Sequence, residues 1–331
     1  MNAKPTYPTL EVETDPFSHA PQRTLSETVR PLADAYDELI GDRSRTTWRW
    51  FDTVEPEFRL SCVDDGYGQR VRDAKVLATM FITVIDDVAE RHGDRTTLEE
   101  LLLVPFDSRP ADPTRKGVDG TYVRFQQELW DALLACYAAS PRADEFADLF
   151  RFDVRQALQS VDYSALLAQY PGLAGERELR TYDVYNMMLF PFADIDLANG
   201  LAFEPRELST VRTVVTHGQR MARIGNWIAT WERELAEGDY SSGVVIRALD
   251  SGVVSHEELR AIRAEPTDAT VDPVVGRIRD SGIEAEFVDQ WCREYEAATD
   301  YCDEVDSLDV GTYLEGFEPI FRSQLARRPS A

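Results

Sequence analysis

Apolar residues along this chain recur mainly with the period of a helix, three and four positions apart. The pattern predicts helices over Ser26 to Ile40, Val71 to His92, Tyr122 to Ala139, Ala143 to Ala168 and Glu176 to Asn199. It continues over Pro205 to Gly238, Ser241 to Asp250, Ser255 to Ala264, Val274 to Asp306 and Tyr313 to Ala326. Ser255 followed by Glu258 predicts a capping box. Alternating patterns bounded by hairpin turns are scarce. Breaks fall at Pro105 to Gly120, Pro171 to Gly175 and Gly200 to Pro205, and none reads as an interdomain linker. Residues 1–25 are polar and carry Pro5, Pro8, Pro16 and Pro21, which predicts an extended arm. The expectation is one all-α domain over 26–331, its helices packed around a central cavity.

One predicted helix ends in acid. Phe81-Ile82-Thr83-Val84-Ile85 runs into Asp86-Asp87-Val88-Ala89-Glu90. On a helix Asp86 and Glu90 share a face, with Asp87 beside them. The turns before them are apolar, so the helix is buried and its carboxylates meet either solvent or a cavity. Like charges in a cavity would protonate unless a divalent cation bridged them. The string alone does not discriminate. Nearly a fifth of the chain is Asp or Glu, and a D-D-x-x-[DE] string arises by chance in about one such chain in two.

A second pattern is rarer. Of four asparagines, one begins Asn226-Trp227-Ile228-Ala229-Thr230-Trp231-Glu232-Arg233-Glu234. Asn226, Thr230 and Glu234 form a helical stripe about 12 Å long. An amide oxygen, a hydroxyl and a carboxylate suit a hard cation such as Mg²⁺. Such a match arises by chance in about one chain in ten. Arg233 stands beside the last ligand, within reach of an anion held there. Trp227 and Trp231 flank the stripe, where core packing is the ordinary role.

Composition narrows the partners. The formal net charge of -25 disfavours nucleic acid, which an acidic surface repels. Only Lys4, Lys75 and Lys116 are lysines, and abundant carboxylate with so little lysine suggests a protein kept hydrated in high salt. Four dispersed cysteines without C-x-x-C suggest reduced thiols in a cytoplasmic protein. No cleavable apolar N-terminus is evident. The longest apolar run, Val76 to Ile85, is about half of a bilayer span, so no stable membrane insertion is expected. H-E-x-x-H, G-x-S-x-G, a complete G-x-G-x-x-G and a P-loop are absent.

Two ligand stripes 140 residues apart on an all-α chain resemble the bacterial-type class I terpene synthases. There, a D-D-x-x-[DE] motif faces an N-x-x-x-[ST]-x-x-x-E triad across a cavity. The second motif commonly continues with a basic residue and Gly-Asp, matched here by Arg233 and Gly238-Asp239. The family places a diphosphate-sensing arginine about 46 residues before the asparagine, where Arg180 stands, and Asp183 matches its linking aspartate. The resemblance covers residues 80 to 315. It has departures. Trp227 replaces a frequent second aspartate, Glu90 stands for Asp, and Thr312-Tyr313 replaces an Arg-Tyr pair that contacts diphosphate. Tyr313 would keep its part, and Arg322 is a candidate substitute for the missing arginine.

The resemblance implies ionisation of an allylic prenyl diphosphate, farnesyl or geranylgeranyl, followed by cyclisation of the carbocation. It implies three Mg²⁺ ions, held by Asp86 with Glu90 or Asp87 and by Asn226, Thr230 and Glu234, giving Lewis-acid stabilisation. Arg180, Arg233 and Tyr313 would contact the diphosphate. Phe81, Tyr185, Phe190, Phe192 and Trp227 are candidate cavity walls, with core packing as the alternative for each. A monomer or homodimer is expected. The alternatives are a chain-elongating prenyl transferase of the same fold, which would carry a second aspartate-rich motif in place of the triad, and an inactive helical prenyl-diphosphate-binding protein.

Overall fold

The computed structural model describes residues 10, 14–20, 24–170 and 175–328; most of the expected arm and the break after Pro171 lie outside them. Among the described residues the structure is all-α, with no strand. The first helices are α1 (Arg30–Leu39), α2 (Arg45–Val54), α3 (Gly68–Asp86), α4 (Arg95–Leu101), α5 (Gly120–Ala138) and α6 (Ala143–Gln169). They are followed by α7 (Glu176–Tyr182), α8 (Leu189–Ala198), α9 (Leu208–Glu237), α10 (Gly243–Asp250) and α11 (His256–Ala264). The last are α12 (Asp268–Asp280), α13 (Ile283–Thr299), α14 (Val310–Glu315) and α15 (Phe317–Ala326).

Differences from the sequence pattern have local causes. The short helices α2 and α4 were not expected; each is started by a side-chain cap. Ser44 accepts from the Thr46 amide, and Asp94 from the Thr96 and Thr97 amides. The helix expected over Glu176 to Asn199 is split at Asp183–Met187, where the chain tightens into a 3₁₀ turn. Met188 then takes a left-handed φ of 61°, uncommon outside glycine. The helix expected from Val274 to Asp306 is split at Gly282, φ +80°. The capping box at Ser255 forms as expected.

Two helices anchor the rest. α3 packs on α5, α2 and α8, while α9 packs on α13, α15, α8 and α10. α3 is held in depth by an ion cluster. Fully buried Lys75 reaches Asp196 of α8 at 2.8 Å and Glu55 at 3.2 Å. Arg59 and Arg72 add charge to Glu55, and the Leu60 amide donates to Asp196. On α9, glycines let α15 approach. A Cβ on Gly218 would stand 2.8 Å from the Phe317 ring, and one on Gly225 2.8 Å from the Phe321 ring.

Candidate active site

The C-terminal ends of α3 and α9 open on one cavity of about 320 Å³. α3 does not stop at Asp86 but widens into a π turn over Asp87–Arg91, which carries Glu90. α9 brings Asn226, Thr230 and Glu234 along one face, all lining the same cavity as Asp86, Asp87 and Glu90. At both helix ends carboxylates stand where the helix dipole is negative, and the last turns of α3 and α9 themselves carry no basic residue, although Arg91 follows in the π turn. Much of the remaining lining is apolar and comes from other elements packed around these two helices. Phe51, Phe58, Phe192, Trp291, Phe317 and Phe321 form that wall.

A further acid joins them. Gly238, φ +81°, closes α9 with its amide bonded to the Leu235 carbonyl, and the Asp239 amide returns to the Glu234 carbonyl at 2.9 Å. This reversal turns Asp239 back into the cavity beside Glu234. Asp239 also accepts from the Ser241 amide at 2.9 Å.

Burial and mutual repulsion dominate the electrostatics. Burial pushes the Asp86 carboxyl up to about 7, reinforced by neighbouring Asp87. Glu234 is pushed up to about 7 by burial and by Asp239. Glu90 is raised well above its ordinary range by burial, Asp239 and Asp86, and burial also raises Asp239. Asp86 Oδ1 and Glu90 Oε1 are buried without a hydrogen-bond partner. The Thr230 hydroxyl spends its proton on the Asn226 carbonyl at 2.7 Å, which leaves its lone pairs free. This set fits a hard cation: all donors are oxygen, two are orphaned, and the surplus is negative. Among the described residues no three His, Cys, Asp or Glu side chains are gathered into a ready-made metal cluster.

Four arginines line the cavity: Arg43, Arg91, Arg223 and Arg233. Arg43, from the turn before α2, grips both oxygens of Asp87. Arg223 holds Asp183 and also reaches Asn226. Arg233 lies against Glu234 at 3.3 Å and pairs with Glu237.

The sequence model for "Terpene synthase family 2, C-terminal metal binding" matches residues 78–269, a span that holds both stripes. The chain belongs to this terpene synthase family. No curated protein matches it. In fold, the chain is similar to a polyprenyl synthase from Caulobacter crescentus CB15 solved with calcium and isoprenyl diphosphate. The TM-score is 0.56 at 14% identity, over 93% of this chain and 92% of that one. A cucumene synthase aligns with a TM-score of 0.47 at 13% identity, over 92% and 96% of the two chains. No helix among the described residues is long and apolar enough to cross a membrane.

Against this frame the expected site residues divide. Asp86, Glu90, Asn226, Thr230, Glu234 and Arg233 come together at one end of the cavity. Asp87 also lines it, but its oxygens are taken by Arg43. Arg180 is exposed on α7 and donates to Gln290 of α13 at 2.6 Å, away from the cavity lining. Asp183 is fully buried and gripped by Arg223. Tyr313 is deep in the core, edge-on to Phe317, and does not line the cavity; burial raises its hydroxyl pKa. Arg322 lies 3.8 Å from Glu318, also off the cavity.

The expected aromatic wall is corrected. Phe81 packs on Trp130, Tyr185 on Phe190, and Trp227 on Phe287, all outside the lining. Helix phase explains two of these: Phe81 is five positions before Asp86 and Trp227 directly follows Asn226, which turns each ring off the ligand face. Phe192 does line the cavity, and Phe190 does not. The sequence pattern did not single out Arg43 or Arg223, and it marked Asp239 only as part of a matching Gly-Asp pair, without a role. The helical spacing of Arg223 from Asn226 was the available signal for one of them.

Proposed function

We propose that this terpene synthase ionises an allylic prenyl diphosphate, C15 or C20, in a Mg²⁺-dependent reaction and cyclises the resulting carbocation. One observation carries the reading: a single cavity lined both by desolvated oxygen donors from two helices, Asp86 and Glu90 among them without hydrogen-bond partners, and by a set of aromatic rings. In this reading Asp86, Glu90, Asn226, Thr230 and Glu234 hold the metal. Bound Mg²⁺ would offset the charge of the leaving diphosphate, allowing an acidic protein to accept a polyanion.

The chain's own residues do the rest. Breaking the allylic C–O bond leaves its electron pair on diphosphate, and Arg233 would donate charge-assisted hydrogen bonds to those oxygens. Phe51, Phe58, Phe192, Trp291, Phe317 and Phe321 would exclude water and fold the prenyl chain, and their faces would attract the moving positive charge. Residues 26–331 would act as one catalytic domain.

The test is direct. Purified protein, Mg²⁺ and geranyl, farnesyl or geranylgeranyl diphosphate are incubated with and without isopentenyl diphosphate, at low and molar salt. Hydrocarbons or alcohols formed without isopentenyl diphosphate support the cyclase. Longer diphosphates formed only with it would replace this reading by chain elongation. No turnover under any condition would favour a binding protein.

A further inference from the structure

The break between α7 and α8 is fastened to one face of α9. Gln219 accepts from the Leu189 amide at 2.8 Å and donates to the Val184 carbonyl. One turn further, Arg223 takes Asp183 with two nitrogens, Nε to Oδ2 at 2.6 Å and Nη2 to Oδ1 at 2.8 Å. Ser164 of α6 donates to the same carboxylate at 2.9 Å. The remaining nitrogen, Nη1, donates to Asn226 Oδ1 at 2.8 Å. Residues 219, 223, 226, 230 and 234 form one continuous stripe, so the helix break and the proposed ligands are bonded to the same surface.

The chemistry of the third bond is selective. A guanidinium has donors only, so the amide atom it meets must be oxygen. An unrestrained asparagine could present either its oxygen or its NH₂ to the cavity, and only oxygen binds a cation. Held by Arg223, Asn226 keeps its oxygen fixed and a second lone pair on it unused. A free guanidinium here would repel a metal ion, but this one is neutralised by Asp183.

We infer that Arg223 is a positioning residue that orients the Asn226 amide for metal, with Asp183 cancelling its charge. Asp183 then acts on the site through Arg223 rather than through Arg180. The inference rests on the reading of Asn226, Thr230 and Glu234 as metal ligands.

Mn²⁺ binding in the presence of inorganic diphosphate, followed by electron paramagnetic resonance, tests it without turnover. The double variant Arg223→Met/Asp183→Leu removes both buried charges together, so that neither is orphaned. It should melt cooperatively and bind Mn²⁺ about ten-fold or more weaker, as for loss of other groups that orient metal ligands. In an Asn226→Asp background the same pair of changes should alter affinity less than about three-fold, because a carboxylate presents oxygen either way. Arg223→Lys serves if the double variant does not fold. It keeps the charge beside Asp183 but lacks the fork that reaches Asn226, so Mn²⁺ should also bind more weakly.

Unchanged affinity in the folded variants overturns the inference, as does an equal loss in the Asn226→Asp background. Absence of Mn²⁺ binding by the unmodified protein overturns the metal reading and this inference with it. Binding that is insensitive to Arg223 overturns this inference alone.

Discussion

Arg43 holds both oxygens of Asp87, with Nε at 3.0 Å from Oδ1 and 2.9 Å from Oδ2, so of the adjacent acids only Asp86 offers the cavity an unbonded oxygen. The two aspartates therefore have different work. Asp86→Asn should abolish turnover yet raise metal-free stability, by about 1–3 kcal/mol at pH 8, because it removes a repelled buried charge. Asp87→Asn should lower stability by about 1–3 kcal/mol, since Arg43 loses its partner but keeps some exposure to water. Urea denaturation in a chelator, paired with product assays, separates them. Matching stability changes in the two variants would contradict the division.

Metal removal should make stability depend on pH in a particular sense. The Asp86 and Glu234 carboxyls are raised to about 7 in the folded protein, well above their unfolded values. Between roughly pH 4.5 and 7 the folded state thus binds more protons than the unfolded one. The stability this supplies is present at the acid end of the window and is lost as pH rises through about 7. Asp196, raised to about 6 by burial, adds to the trend in the same direction. Melting in chelator should fall from pH 5.5 to pH 8, and Mg²⁺ with diphosphate should restore it at pH 8. A metal-free melting temperature that climbs over this range would refute the assignment.

Lys75 is the only buried lysine among the described residues, and Glu55 and Asp196 both depend on it. Lys75→Met should cost about 3–5 kcal/mol, the range for breaking a buried pair and leaving the acids uncompensated. Adding Asp196→Asn should recover part of that loss. A single-variant loss below about 1 kcal/mol, read from urea midpoints, would mean that Arg59 and Arg72 carry Glu55 alone.

Gly225 gives a packing test. A Cβ there would meet the Phe321 ring at 2.8 Å and Gln324 Oε1 at 3.0 Å. Gly225→Ala should destabilise by about 1–3 kcal/mol through overpacking. Pairing it with Phe321→Leu should relieve the strain and, because Phe321 lines the cavity, shift the product profile measured by gas chromatography. An unchanged midpoint for the single variant would show that the ring yields freely.

How much of this was legible depended on distance along the chain. Asn226, Thr230 and Glu234 could be placed on one face because their geometry is set within a single helix. Asp86 and Glu90 followed the same rule even through the π turn. The Arg43–Asp87 pair spans 44 residues and two unconnected elements, and no periodicity announces it. Arg180 matched the family spacing, but α7 carries it outward to Gln290, while the residue that does hold Asp183 came from α9. The aromatic wall was missed for a related reason. Phe51, Phe317 and Phe321 belong to α2 and α15, and their approach depends on tertiary packing, including the two α9 glycines facing α15. The 3₁₀ turn that ends at left-handed Met188 and the left-handed Gly282 are local backbone events inside otherwise continuous apolar periods.

Gly225 stands between Arg223 and Asn226, so the turn that presents the amide oxygen on one side seats the Phe321 ring on the other. Cavity contour and ligand geometry are therefore not independent variables in this protein. Under the proposed function, a substitution that reshapes the apolar wall at this point would also lean on the proposed metal ligands, and product changes would be most accessible by altering α2, whose Phe51 borders the cavity without sharing that turn.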